Sequence, residues 1–147
     1  MKKFLCLIVC LSLLLCTACA DSSQTKSDYN MCPYVDFSVE EFDTTVNVRD
    51  KKTFNASLTN ISGGELELFH GAILINLYVH TEKQPKTFVI PSIGITTNMA
   101  IDETIEKDLS FYFSEAGTYY LHAKYSFSID GEEYYYAIDP IEITVVE

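Results

Sequence analysis

After residue 34, hydrophobic and polar residues alternate along most of the chain. In the clearest stretch, TYYLHAKYSFSI, every second residue from Tyr119 to Ile129 is apolar or aromatic. The residues between them, from Thr118 to Ser128, all carry a polar group. Because side chains of a β-strand point alternately to its two faces, this stretch predicts a long strand with one buried face.

The dipeptide Asp130-Gly131 follows this strand and predicts a two-residue hairpin. Both residues accept the positive φ angles of a type I′ turn, whose twist matches that of the flanking strands. A two-residue turn fixes the register of the hairpin. The pairs expected on the buried face are Phe127 with Tyr134, Tyr125 with Tyr136 and Ala123 with Ile138. The pairs expected on the outer face are Ser126 with Tyr135, Lys124 with Ala137 and His122 with Asp139.

Further strands are predicted along the rest of the chain. Residues 35–39, 54–58 and 105–113 alternate, and the alternation resumes after Pro140. Residues 72–80, AILINLYVH, are apolar on both faces and indicate a central strand. NISGG at 60–64 is typical of a turn, 81–86 of a polar loop, and 88–101 of a short strand followed by a loop. Seven to nine short strands with no helical period predict an all-β, antiparallel β-sandwich.

One corner of this pattern resembles a known class of domains. Ala116-Gly117-Thr118-Tyr119 lies between the strand ending at Phe113 and the long hairpin strand. It is similar to the corner before the penultimate strand of immunoglobulin-like bacterial domains, where a tyrosine ties the corner down. The resemblance implies an immunoglobulin-like sandwich over residues 34–147. The chain has no Trp and no pair of cysteines across the sheets, so an antibody-type domain is excluded.

The N-terminus has a different character. Lys2 and Lys3 precede an apolar run at residues 4–16, and a helix that spans a membrane needs roughly 20 residues. The run ends in LLLCTACADSSQ, where Ala18 directly precedes Cys19. This segment resembles the lipobox of bacterial lipoproteins, with Cys16 where the family usually has Leu. The resemblance implies a signal peptide at 1–18, with a helical apolar segment, that is cut before a lipidated Cys19. An ordinary signal-peptidase cut nearby is the alternative.

The lipobox resemblance also predicts where the protein is held. Acyl chains such as palmitate on Cys19 anchor it to the cell membrane, on the extracytoplasmic face. Residues 20–28, ADSSQTKSD, are small and polar, which is typical of a flexible tether. We therefore expect a lipidated cysteine and tether at 19–33 and one folded domain at 34–147.

Charge and cysteine content narrow the classes of function. Without Lys2 and Lys3, eight basic residues remain against 21 acidic ones, a net charge of −13. Such a chain repels phosphates, so nucleic acid is excluded as a partner. Four of the five cysteines lie in the first 19 residues, which leaves Cys32 without a partner for an internal disulfide. We expect Cys32 to be a small structural residue rather than a catalytic thiol.

Candidate binding residues lie on the outer face of the hairpin sheet. Tyr78, Tyr120 and Tyr135 are expected to project there, as anchors in a protein interface or as stacking surfaces for sugars. His122 and Asp139 are predicted beside them. Together with His80 they raise the alternative of a transition-metal site, but we expect an ordinary cross-strand pair and no bound metal.

No catalytic motif or cofactor motif is found in the sequence. The sequence therefore predicts a membrane-anchored bacterial surface lipoprotein that is not an enzyme and needs no cofactor. Its domain is expected to bind another macromolecule of the cell envelope. The alternative is that it binds carbohydrate or a small ligand through the tyrosine-rich face.

Overall fold

The computed structural model describes residues 29–85 and 93–147, and all regular elements in these two ranges are β-strands. The predicted signal peptide, Cys19 and residues 20–28 of the predicted tether lie outside them. No helix within the two ranges is long and apolar enough to cross a membrane. The ten strands are β1 (Val35–Val39), β2 (Thr45–Asn47), β3 (Lys51–Asn60), β4 (Leu66–His70), β5 (Ile75–His80), β6 (Ile95–Met99), β7 (Thr104–Tyr112), β8 (Gly117–Ile129), β9 (Glu132–Ala137) and β10 (Ile141–Val146).

The strands form two sheets that pack as an all-β sandwich, as the sequence predicts. One sheet has the order β1-β3-β7 and is antiparallel throughout. The second sheet is built around β8, which pairs with β10 and β9 along one edge and with β5 and β4 along the other. β6 extends this sheet beyond β4, and the short β2 pairs with β10 in parallel, an arrangement that the sequence analysis did not foresee.

The predicted hairpin and its register are confirmed. Asp130 and Gly131 have φ angles of 51° and 83°, and the β8–β9 pairing runs in the predicted register from Ile129↔Glu132 to Lys124↔Ala137. The inner face of β8 is buried from Leu121 to Phe127. The largest completely buried side chains of the domain are Tyr125, Phe54, Phe113, Leu58, Leu68, Met99, Leu121 and Ile143.

The register changes by one residue where β9 gives way to β10. The N–H of Ile138 still donates to the carbonyl of Ala123, at 3.1 Å, but Ile141 pairs with Leu121. Asp139 and Pro140 therefore lie opposite the single residue His122, which is a β-bulge. Proline has no N–H to donate to the ladder, so the bulge forms where it interrupts the strand. The predicted pair of His122 with Asp139 is wrong, because two residues share the position opposite His122 and neither is its regular ladder partner.

The corner before β8 has the predicted tyrosine. The hydroxyl of Tyr119 donates to the carbonyl oxygen of Glu115, four residues upstream, at 3.1 Å. Its ring packs against Phe113, with the centroids 5.2 Å apart. Gly117 has a φ of 149°, which favours glycine, so the AGTY sequence suits this corner.

Residues 72–80 do not form the central strand. Only residues 75–80 are extended, as β5, and in the part of the chain that the structure covers β5 pairs with β8 alone. Ile75 and Leu77 face the core, and on the other face Tyr78 packs against His122. The strands β2 and β4 were not predicted.

Candidate binding face

One face of the β8 sheet brings together most of the predicted site residues. We call the side chains of β5, β8 and β9 that point away from the core the outer face. Its cross-strand pairs are His80 with Tyr120, Tyr78 with His122, Asn76 with Lys124, and Ser126 with Tyr135. The predicted sharing of one face by Tyr78, Tyr120, Tyr135 and His122 is therefore confirmed. Asp139 lies in the bulge and belongs to no strand.

Tyr78 and His122 form a stacked pair within this face. Their ring centroids are 4.8 Å apart and the rings are 7° from parallel. The Nζ of Lys124 lies 5.9 Å from the centroid of the Tyr78 ring, so the tyrosine also receives a cation–π contact. Burial raises the pKa of Tyr78. Both neighbours pack against its ring, so less of the Tyr78 ring is free for stacking on a sugar. Its role as an anchor in a protein interface stays a prediction.

His122 is the most deeply buried polar side chain of the outer face. It is 9% exposed, and its Nε2 has no hydrogen-bond partner within residues 29–85 and 93–147. Burial lowers the pKa of His122; the backbone of Glu82 opposes this shift, and His80 and Lys124 add to it. The imidazole is therefore neutral at neutral pH. The alternating pattern gave no sign of this burial, because His122 occupies a position that should face solvent.

The start of the loop after β5 is tied to this region. The Nδ1 of His80 accepts a hydrogen bond of 2.8 Å from the N–H of Glu82. This contact ties the backbone of Glu82 to the last residue of β5. Within the described ranges, no group of three or more His, Cys, Asp or Glu side chains is arranged to hold a metal ion. The structure therefore does not assemble the metal site that His80, His122 and Asp139 would have formed.

The most exposed aromatic pair on this face is Tyr29 with Tyr135. The ring centroids are 5.9 Å apart and the rings are 14° from parallel, with 49% of Tyr29 and 37% of Tyr135 exposed. Partial burial raises the pKa of Tyr135, and the neighbouring Tyr29 and Tyr78 raise it further. Tyr29 is not among the site residues predicted from the sequence, because the polar composition before it predicts a tether at residues 19–33.

Residues 29–33 lie against the domain. The N–H of Tyr135 donates to the carbonyl of Asn30 at 3.0 Å, and Asn30 Nδ2 donates to the carbonyl of Glu133 at 2.7 Å. Cys32 is buried, and its N–H donates to the Tyr125 hydroxyl at 2.9 Å. Burial raises the pKa of the Cys32 thiol, which makes it a weak nucleophile.

A separate cavity of about 370 Å³ lies near the start of β3. It is an open depression between the loop after β1 and the first half of β3. Its acidic residues are exposed to solvent. The lining residues are Glu40, Glu41, Phe42, Asp43, Lys52, Thr53 and Asn55.

Comparisons with known proteins give only distant structural likenesses. No protein-family model and no curated protein matches the chain. The structure of a β-glucosidase from Listeria innocua in complex with glucose is 10% identical to this chain, and the alignment covers 77% of this chain with a TM-score of 0.43. The structure of the same enzyme with gluconolactone has a TM-score of 0.41. The chain spans 16% of the length of that enzyme. The seventh PapD-like domain of human CEP192 is 9% identical with a TM-score of 0.43, covering 78% of this chain and 86% of that domain.

Proposed function

We propose that this protein is a lipid-anchored bacterial surface protein whose immunoglobulin-like domain binds another macromolecule of the cell envelope without catalysing a reaction. The observation that carries the proposal is the row of aromatic side chains on the outer face of β8 and its neighbours. Tyr120 and Tyr135 project from paired strands, and Tyr29 extends the row beyond the edge of β9. Tyrosines of this kind bury a large area at low cost in side-chain entropy.

The anchor rests on the lipobox resemblance at Cys19. Each buried methylene of an acyl chain contributes about 0.8 kcal/mol, so two or three chains hold a protein firmly on a membrane. The signal peptide at 1–18 brings the chain to the extracytoplasmic face, and residues 20–28 join the anchor to the domain. Lipidation at Cys19 therefore places the outer face near other components of the envelope.

The rigidity of the outer face supports a role in recognition. β8 is thirteen residues long and is paired along both edges, so its side chains are held in fixed positions. Lys124 supplies a cation in the middle of the face, beside the Tyr78–His122 stack. The net charge of −13 in the chain without its signal peptide favours a neutral or basic partner over an acidic one.

A glycan is the second candidate partner, and one observation favours it. The rings of Tyr29 and Tyr135 are nearly parallel and partly exposed, which is an arrangement on which the apolar face of a sugar ring can stack. Tyr78 is engaged with His122, so a glycan site is restricted to this pair and Tyr120.

The test is capture of partners from native envelopes by the lipidated, full-length protein. We expect Tyr135→Ala or Tyr120→Ala to reduce capture of a specific partner at least tenfold, as loss of an interface anchor does. Tyr112→Ala is the matched control, because Tyr112 is exposed on β7 of the other sheet. Equal capture by all variants contradicts a role for the outer face. Binding to a glycan array that depends on Tyr29 and Tyr135 selects the second candidate.

A further inference from the structure

Residues 29–34, which we call the strap, cross one side of the sandwich. Tyr29 lies on the outer face against Tyr135, and Asn30 lies along the edge of β9. The strap then leads directly into β1, which begins at Val35 in the other sheet. It therefore covers the edge of β9 that does not pair with β8.

The strap is fixed in place but exposes large apolar side chains. Two hydrogen bonds of Asn30 hold it to β9, and Cys32 is inserted into the core. Met31 is 62% exposed and Tyr34 is 43% exposed, on either side of the buried Cys32. Because the backbone is tied down between them, these side chains are held outward instead of collapsing onto the domain.

The distance to the proposed anchor limits where the strap can be. Nine residues, 20–28, separate Cys19 from Tyr29. A chain of this length reaches at most about 35 Å when fully extended. As a flexible coil its ends are about 15–20 Å apart on average. The tether therefore keeps the strap within about 35 Å of a membrane in which the lipid of Cys19 is inserted.

We propose that the strap contacts the membrane surface, with Met31 and Tyr34 in the headgroup region of the bilayer. This inference rests on the proposed lipidation of Cys19. Tyrosine suits that region because its ring is apolar and its hydroxyl remains hydrated. Methionine adds a flexible apolar side chain. The contact fixes the orientation of the domain, so that the outer face stands to one side of the bilayer and remains open to a partner.

The nearby charges determine which lipids suit the contact. Glu132 and Glu133 begin β9 and are exposed next to the strap, since Asn30 bonds to the carbonyl of Glu133. Anionic headgroups repel these carboxylates, whereas zwitterionic headgroups do not. We therefore expect the strap to contact phosphatidylcholine vesicles more closely than vesicles rich in phosphatidylglycerol.

The test uses the absence of Trp from the whole sequence, so that one introduced Trp is the only indole. Met31→Trp and Tyr34→Trp place the probe in the strap at exposed positions. Tyr112→Trp is the matched control on β7. Each full-length lipidated variant is reconstituted into phosphatidylcholine vesicles with and without bromine atoms in the upper part of the acyl chains. We expect bromine to quench the two strap probes several-fold more than the control probe.

Flotation of the vesicles tests the lipid anchor separately from the contact between the strap and the membrane. If the protein floats with the vesicles but the strap probes are quenched no more than the control, the membrane contact is overturned while the anchor stands. If the protein does not float, both the anchor and the contact are overturned. Two strap variants are used so that a folding defect in one leaves the other as the test.

Discussion

The backbone N–H of Cys32 donates a buried hydrogen bond of 2.9 Å to the hydroxyl oxygen of Tyr125, which lies 93 residues later in the chain. Tyr125 stands in the middle of the central strand β8 and is almost completely buried. Its ring also packs edge-on against Phe37 of β1, with the centroids 5.3 Å apart. One tyrosine therefore joins the strap to both sheets.

Tyr125→Phe should weaken this junction. The substitution keeps the ring but leaves the Cys32 N–H without an acceptor in the core, which costs about 1–3 kcal/mol. We expect a corresponding loss in the free energy of unfolding, measured by urea denaturation. We also expect faster reaction of the Cys32 thiol with a disulfide reagent under native conditions. Tyr112→Phe is the control, and equal thiol reactivity in both variants contradicts the proposed role of the hydroxyl.

The burial of His122 predicts a pH dependence of stability. Its folded pKa lies below the usual 6.5, so at pH values around and below 6.5 the unfolded chain binds a proton more readily than the folded chain. The free energy of unfolding should therefore fall as the pH falls through 6.5, until the folded pKa is reached. Above 6.5 the neutral form dominates in both states and this contribution is constant.

His122→Phe removes this titration and retains a ring against Tyr78. Urea denaturation on either side of pH 6.5 should show a smaller loss of stability on acidification in the variant than in the parent protein. The groups around the imidazole are Tyr78 and His80 of β5, the backbone of Glu82 and Lys124 of β8. Identical pH profiles for the two proteins contradict the assignment of the effect to His122.

Tyr119→Phe tests the corner before β8. The variant loses the hydrogen bond to the Glu115 carbonyl, a neutral bond near the surface that contributes about 0.5–1.5 kcal/mol. Tyr120→Phe, one residue later on the opposite face, is expected to change the free energy of unfolding by less. Equal effects in thermal or urea denaturation show that the corner does not depend on this hydroxyl.

Asn60 joins two turns and is completely buried. Its Nδ2 donates to the carbonyl oxygens of Gly64 and Ala100, at 2.7 and 2.9 Å. Its Oδ1 accepts from the N–H and the hydroxyl of Ser62, at 3.0 and 2.8 Å. The side chain thus holds the turn after β3 against the turn between β6 and β7.

Asn60→Ala should be among the most destabilising polar substitutions in the domain. It leaves several backbone groups without partners at once, and we expect a loss of about 2–3 kcal/mol in the free energy of unfolding. Asn98→Ala, at an exposed position of β6, is the control and should change it by no more than about 0.5 kcal/mol. A small effect of Asn60→Ala in urea denaturation contradicts the structural role of this amide.

Short sequence patterns predicted the parts of the fold that are determined by residues close together in the chain. The Asp130-Gly131 turn and the alternation in β8 are encoded within about twenty residues, and their register was obtained from the turn alone. The bulge that separates His122 from Asp139 was missed because Pro140 marks an interruption without specifying where the extra residue lies.

Contacts between distant segments were not predictable from the pattern. The strap begins directly after a polar segment, and nothing in that segment indicates that it packs on the domain. Its partners lie about a hundred residues later in the chain, at Glu133, Tyr135 and Tyr125. In the same way, the burial of His122 depends on its stack with Tyr78 from another strand. NISGG was recognised as a turn, but the bond from Asn60 to Ala100 is set by tertiary structure.

The proposed anchoring of the domain at the membrane depends on the lipid at Cys19. The decisive measurement is the intact mass, with fragmentation of the N-terminus, of the mature protein purified from bacterial membranes. We expect a chain that begins at Cys19 and carries a diacylglyceryl group on its sulfur, with or without a third acyl chain on its amino group. A chain that retains Met1, or that begins nearby with an unmodified residue, contradicts the proposed anchoring.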